Sequence, residues 1–247
     1  MIAHASLSAF GEVEGGAESI IRAIMACSRG FVMPAFTYHT MIVPETGPPG
    51  NGLTYGSGLY TNRGARFFHA GMPADRLMGI IPETLRKHLQ AARSSHPILS
   101  FTGIDALKAL RAQTLAEPLA PIRVLAAQDA WVLLLGVDHS ANTSIHYGEK
   151  LAGRKQFVRW ALADDRVCEC PGFPGCSDGF QAIEPAVAGF TRMTRIGKAP
   201  IRLLPLRALL YVVRALVEAD PLALLCNHSY CARCGTVRDL GISISDF

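Results

Sequence analysis

No stretch of the 247-residue chain reaches the roughly eighteen apolar residues that a membrane-crossing helix needs. The greasiest run, Leu203 to Cys226, is broken by Arg207, Arg214, Glu218 and Asp220. The start, MIAHASLSAF, has neither the basic n-region nor the long apolar h-region of a signal peptide. These absences argue against a membrane protein and point to the cytoplasm. A basic stripe with interleaved aromatics, a helix-turn-helix and an RNP signature are all missing, which argues against nucleic acid as a partner. There is no G-x-S-x-G elbow, and YGSG at 55–58 sits in a loop, so a serine hydrolase is disfavoured. The spacing from His139 to His146 matches no common zinc-hydrolase signature. No internal repeat or linker divides the chain.

What remains is a composition able to bury one sizeable core. At 49% hydrophobic and 18% charged, residues 1–247 are expected to form a single domain. The formal net charge of +4 is mild but uneven. Residues 1–60 carry four acids against two bases, whereas residues 185–217 carry six bases and no acid. Such asymmetry can hold an anion and a cation in different places, although Arg207 and Arg214 also fit the wet side of an amphipathic helix.

Apolar runs suited to strands alternate with helical periodicity. ESIIRAIMACSRG reads as a helix closed by Gly30, with Cys27 in the core, and FVMPAFTY as a strand stopped by its proline. Residues 44–64, dense in Gly, Pro, Asn and Thr, form a long loop with Tyr55 and Tyr60 as candidate walls. PETLRKHLQAA and FTGIDALKALRAQTL read as helices, and AWVLLLGV as a buried strand. The alternation predicts an α/β/α layered fold around a central mixed sheet.

The segment GVDHSANTSIHYGEK, residues 136–150, concentrates chemistry at the end of that buried strand. Asp138 and His139 would emerge at its carboxyl end, where open α/β sheets place their ligand crevices. Asn142 suits an N-cap, Thr143 to Ala152 a helix, and Gly153 its stop. On that helix His146 and Glu149 are neighbours, and an imidazole beside a carboxylate is held in one tautomer and made more basic. A capped helix with a structural histidine is the plainer reading of His146, whereas His139, following a strand and an aspartate, is favoured as the functional imidazole.

A series of segments in one order resembles the aminoglycoside 3-N-acetyltransferases, whose antibiotic acetyltransferase fold is distinct from the GNAT fold. They are HASLSAFGEVEGG (4–16), FVMPAFTY (31–38), GIIPETLR (79–86), ARSSHPILSFTGIDA (92–106), GVDHSANTSIHYGEKLAG (136–153) and GCSDGFQAIEP (175–185). The resemblance implies direct transfer of acetyl from acetyl-CoA to the 3-amino group of a 2-deoxystreptamine antibiotic, with resistance as its consequence. It implies His139 as general base, His4 as a second active-site imidazole, and Asp138 and Glu149 as groups that orient or charge-balance an imidazole. Ser6 and Ser8 would offer hydroxyls near the developing oxyanion, and Arg93, Ser94, Ser95 and His96 donors for CoA. Without the resemblance, the latter four read as a polar loop leading to a strand. A polycationic sugar needs acids, for which Asp178, Glu83 and Glu149 are candidates. Tyr38, Thr143 and His146 complete the expected acceptor wall. Asp178 also suits an Asx turn, and Glu83 a helix N-terminus. Relative to the family the chain looks shortened ahead of the HASLS segment. The same fold acting on a different amine, and a noncatalytic CoA- or amine-binding relative, are the other readings. A monomer or a homodimer fits equally.

The cysteines stand apart from that resemblance. VCECPGFPGCSDGF and LLCNHSYCARCG bring six of the seven cysteines into two short segments. A C-x-C and a C-x2-C suit a structural zinc site, drawn here from Cys168, Cys170, Cys231 and Cys234. Free thiols packed together and a redox pair are the alternatives. The family at large does not need this metal.

Overall fold

The structure is a computed structural model that describes residues 1–244, with side chains through residue 240. Its strands are β1 (Ile2–Ala5), β2 (Phe31–Pro34), β3 (Met41–Ile42), β4 (Ala92–Arg93), β5 (Phe101–Ile104), β6 (Trp131–Leu135), β7 (Phe157–Ala163), β8 (Arg166–Phe173), β9 (Arg192–Ile196) and β10 (Ala199–Pro205). Its helices are α1 (Gly16–Cys27), α2 (Gly58–Thr61), α3 (Ile80–Lys87), α4 (Leu107–Arg111), α5 (Ala120–Ala127), α6 (Ser144–Leu151), α7 (Glu184–Val187), α8 (Leu206–Ala219) and α9 (Ala232–Ile244). A seven-stranded sheet runs in the order β4-β5-β2-β1-β6-β10-β9, and β3-β7-β8 form a second, smaller sheet. β1 is parallel to both neighbours, β2 and β6, while the flanking pairs are antiparallel. This is the mixed, layered α/β/α arrangement that the alternation of strand and helix predicts.

The central strands are buried on both faces, so their sequences read as nearly unbroken apolar runs. Side chains alternate along a strand, and that alternation sorts two cores. Ile2, Val32, Val132 and Leu134 pack with Ile122 of α5, Ile145 of α6 and Leu209 and Val213 of α8. Ala3, Ala5, Phe31, Met33 and Leu135 pack with Ile21 and Ile24 of α1 and Ile81 and Leu85 of α3. His4 shares the parity of Ile2 and so belongs to the α6 side of the sheet.

The structure divides one expected helix. FTGIDALKALRAQTL is a strand, β5, followed by the short helix α4. All of Phe101–Ile104 is buried against β2, and a Cβ at Gly103 would stand 2.4 Å from the Phe31 carbonyl oxygen, so glycine is required where the two backbones meet. Cys27 closes α1 on the exposed side rather than in the core. In the 44–64 loop, the Tyr55 ring lies edge-on to Trp160 of β7 while Tyr60 is exposed, and neither reaches the cleft described next.

Candidate active site

A cleft of about 960 Å³ opens beside the carboxyl ends of β1, β2 and β6. Its floor is His4 with Ala5, Ser6, Leu7 and Ser8, and α6 supplies His146 next to Thr143. Tyr38, the turn at Arg76–Met78, the segment Phe173–Asp178 and Arg233 complete the wall.

The sequence of α6 explains how His146 is presented. Asn142 accepts a hydrogen bond from the Ser144 amide through its side-chain oxygen at 3.2 Å, which starts the helix, and Gly153 takes φ +78° where it ends. Within the helix, Gly148 faces α8. A Cβ there would lie 2.6 Å from Val213 Cβ, so the missing side chain is what lets α8 seat the helix this deeply. Phe180 meets the His146 ring edge-on at 4.6 Å and fixes its tilt.

His146 Nδ1 lies 2.9 Å from Glu149 Oε2, and Glu149 Oε1 accepts from Arg154 Nη1 at 2.5 Å. Glu149 is 2% exposed, so its carboxylate owes its place to these two partners. Arg154 is anchored in turn by donating to the carbonyls of Pro221 and Ala223 at 2.8 and 2.7 Å. A carboxylate paired with arginine only accepts hydrogen bonds, so the imidazole donates from Nδ1 and keeps its lone pair on Nε2, and His146 itself lines the cleft. That is the arrangement of a general base with its orienting carboxylate.

His139 is placed otherwise. Its side chain is fully buried and is not part of the cleft wall. Asn142 donates to its Nδ1 at 3.4 Å, and its Nε2 is sealed away without a hydrogen-bond partner. Burial, and then the Arg202 charge, push its imidazole below the usual range, so the ring fills space under the 139–141 turn in neutral form. Asp138 caps that turn, accepting from the Ser140 amide at 2.9 Å and the Ser140 hydroxyl at 2.5 Å, and orients no imidazole.

His4 does reach the cleft, nearly buried, with its Nε2 unpartnered. Burial lowers its imidazole to about 3, so it is a neutral ring throughout the physiological range. Ser6 and Ser8 stand on the same floor with their hydroxyl oxygens 3.1 Å apart. The Ser6 amide is committed to the Leu135 carbonyl at 2.9 Å, so Ser6 offers only its hydroxyl to a ligand. Thr143 and Tyr38 line the cleft, and burial raises the Tyr38 phenol to about 12.

The ARSSHP segment lies outside the cleft and turns inward. Arg93 donates to the carbonyls of Ala35 at 2.8 Å and Ala70 at 3.2 Å, to that of Met72, and to the Ser100 hydroxyl at 3.1 Å. Burial lowers it to about 10. The Ser94 hydroxyl accepts from the Phe101 amide at 2.8 Å, and His96 Nδ1 accepts from the amides of Ile98 and Leu99 at 3.1 and 3.0 Å. Ser95 is exposed. Arg93, Ser94 and His96 thus brace the β4–β5 turn, apart from the cleft-lining residues. Glu83, next to the cleft residue Pro82, is not itself a lining residue and is held in an ion-pair and hydrogen-bond network. It accepts from Arg86 at 2.7 and 2.9 Å and from the Ala74 amide at 3.0 Å. Although burial alone would raise it, the bonds from Arg86, Ala74 and Lys87 prevail and hold it at about 2.

Asp178 is a cleft residue, with its side chain 59% exposed and His228 Nε2 3.8 Å away. Among the described residues it is the one carboxylate on the cleft wall, against two arginines, Arg76 and Arg233. Neither arginine carries a motif. Arg233 is signalled only by its place between Cys231 and Cys234.

The cysteines also regroup. Cys168 and Cys170 sit on β8 as buried thiols in the sheet, and burial pushes Cys170 up to about 12. Cys231 and Cys234 are joined instead by Cys176 and Cys226, the four sulfurs lying within 4.8 Å of one another.

The model of the family described as aminoglycoside 3-N-acetyltransferase matches residues 2–218. Aminoglycoside N(3)-acetyltransferase III of Serratia marcescens is 29% identical over 232 residues, covering 81% of this chain and 83% of that protein. A crystal structure of a mutant aminoglycoside acetyltransferase AAC(3)-IVa in complex with a gentamicin superimposes with a TM-score of 0.75 at 21% identity, covering 96% of this chain and 89% of that one. The binary complex of AAC-IIIb with CoASH gives 0.71 at 21% identity, over 88% and 89% of the two chains. The two structural likenesses concern the fold.

Proposed function

The chain belongs to the aminoglycoside 3-N-acetyltransferase family, and from that premise we propose that it moves acetyl from acetyl-CoA directly to the 3-amino group of a 2-deoxystreptamine aminoglycoside. The observation that carries the reading is the buried His146–Glu149 pair on the cleft wall, whose Nδ1 contact leaves Nε2 as the ring's basic nitrogen. In this assignment His146, and not His139, is the general base. The acceptor nitrogen attacks the thioester carbonyl while His146 Nε2 takes its proton. The C–N bond forms, the C–S bond breaks, and the proton passes from His146 to the departing thiolate sulfur. Glu149 stabilises the imidazolium between those steps, and the Ser6 and Ser8 hydroxyls are the nearby donors for the carbonyl oxygen as it becomes an oxyanion. Neutral His4 adds a polar ring without a competing charge. Arg76 and Arg233 suit the phosphates of CoA by charge and by their place on the cleft wall. AAC-IIIb has been crystallised with CoASH, which supports this choice of donor.

A second reading is favoured by one observation, the single carboxylate that the described residues place on the cleft wall. A polyammonium sugar loses much of its solvation in a cleft and needs anionic partners there. An amine with fewer positive charges suits Asp178 alone. The test is CoA release from acetyl-CoA with gentamicin, kanamycin, apramycin and simple amines, each against a blank without acceptor because the protein's own thiols react with thiol reagents. Turnover that depends on a deoxystreptamine supports the first reading, and turnover confined to simple amines the second. Binding of acetyl-CoA without any turnover would contradict both.

A further inference from the structure

The cluster of Cys176, Cys226, Cys231 and Cys234 is not used by the chemistry above, yet it adjoins the cleft. We propose that these four residues bind one zinc ion as a closed tetrathiolate site, and that the ion fastens the C-terminal helix to the cleft wall. Sulfurs each about 2.3 Å from a tetrahedral zinc stand about 3.8 Å apart. Here four sulfurs from two separate stretches of chain lie within 4.8 Å of one another, and the cysteines are all free thiols.

The surroundings are built for thiolate. The Asp178 amide points at Cys176 Sγ at 3.5 Å, and the His228 amide bonds the Cys226 sulfur in the same way, each from two residues further along the chain. Such amides offset negative charge on a metal-bound sulfur, and their repetition gives two knuckle turns of one kind. Cys231 and Cys234 bracket the first turn of α9, whose unpaired amides and dipole also favour negative charge. Zinc(II) displaces four thiol protons and leaves a site of net charge −2, beside which Arg233 and Arg238 lie on α9. With all four positions filled by sulfur, no coordination site is left for substrate, so the ion is structural.

Its position gives it a consequence for the cleft. Cys176 lies within the wall segment Phe173–Asp178, and Cys234 is next to Arg233. Arg233 Nη1 donates to the Gly175 carbonyl at 2.8 Å, and its guanidinium lies 5.8 Å from the Phe173 ring centroid. Arg238 donates to the Cys226 carbonyl. The ion thus ties the 176–178 wall, the 226–231 turn and α9 into one unit that presents Arg233 to the cleft. Three of its four ligands lie past residue 218, where the family match ends.

The site stands whether or not acetyl transfer is the reaction, and its test reads metal directly. Elemental analysis of protein purified reduced and without chelator is expected to give one zinc per chain. Cys176→Ser and Cys226→Ser are expected to bring this well below one, whereas Cys168→Ser and Cys170→Ser leave it unchanged. Should the first pair fail to fold, the wild-type protein exchanged with cobalt(II) decides, through intense tetrahedral visible bands and thiolate-to-cobalt charge transfer. Stripping the ion with a mercurial is expected to speed tryptic cleavage at Arg233 and Arg238 at least tenfold while residues 1–218 stay resistant. Metal-free protein whose four thiols react freely in the native state overturns the proposal. So does an intact mass showing disulfides among the four, or a cobalt spectrum without tetrahedral bands.

Discussion

Replacing Glu149 by glutamine probes the base and its support together. The substitution keeps the shape but removes the charge that meets His146 Nδ1 at 2.9 Å and Arg154 Nη1 at 2.5 Å. On the catalytic side, the amide can present its NH2 to Nδ1, which forces the ring into the tautomer with a proton on Nε2 and leaves no lone pair on that nitrogen. It also leaves the imidazolium without a counter-charge. A fall in kcat of about 10²–10⁴ follows, the range for a lost or misoriented general base. On the structural side, Arg154, with its side chain 3% exposed, keeps its two carbonyls but loses its anion. An uncompensated buried charge costs about 3–5 kcal/mol. At about 2–4 °C per kcal/mol for a chain of this size, Tm should fall by about 6–20 °C. Steady-state kinetics well below that Tm, beside a thermal melt, separate the two effects. Adding Arg154→Met should restore part of the Tm and none of the rate, because the pair shares one network. Wild-type kcat within about threefold in Glu149→Gln, with the melt showing folded protein, would rule out this role for the pair.

Other consequences are direct. Arg93→Ala should lower Tm, because it strips four acceptors, three of them part-buried, of their donor, while the KM for acetyl-CoA stays within about twofold in folded protein. A large selective rise in that KM would return the residue to a CoA site. Gly148→Ala should cost about 1–3 kcal/mol by overpacking against Val213, measured by chemical denaturation, and a neutral result would mean that α6 and α8 can separate freely. His4 binds its proton near pH 3 when folded and near 6.5 when unfolded, so the unfolded state takes up the proton first as pH falls. Its contribution to stability is complete above pH 6.5 and is lost on going down toward 3, at up to about 1.4 kcal/mol per pH unit. His4→Gln should flatten the stability-pH curve in that window, and an unchanged curve would contradict a buried neutral His4.

Much of the scaffold is legible in the sequence because buried strands and amphipathic helices carry periodicity. FVMP, WVLLL and the helix after Gly16 fall where their patterns place them. FTGI does not, because a short apolar run has no period of its own and its strand character rests on β2 lying alongside. The pairing of His146 with Glu149 follows from i,i+3 spacing. The choice between His139 and His146 does not, since it depends on which side of the 139–141 turn meets the cleft, a fact set by Phe180, Asn142 and α8. The C-x-C spacing misdirects for a similar reason. On a strand, Cys168 and Cys170 share one face about 6.6 Å apart and enter the sheet core, whereas the isolated Cys176 and Cys226 are brought to the C-x2-C by folding. Arg93 shows the limit of residue type alone. A donor-rich segment near a strand suits a ligand or a buried turn equally, and only the carbonyls around it decide.

If His146 does the chemistry, the decisive comparison sets His146→Ala beside His139→Ala in the CoA-release assay with an accepted amine. For His146→Ala, kcat is expected to fall at least about a hundredfold in protein that a thermal melt shows to be folded. For His139→Ala, kcat is expected to stay near normal with a lowered Tm, because that ring fills sealed space. A hundredfold loss in folded His139→Ala, with His146→Ala close to wild type, would contradict the assignment of the base to His146.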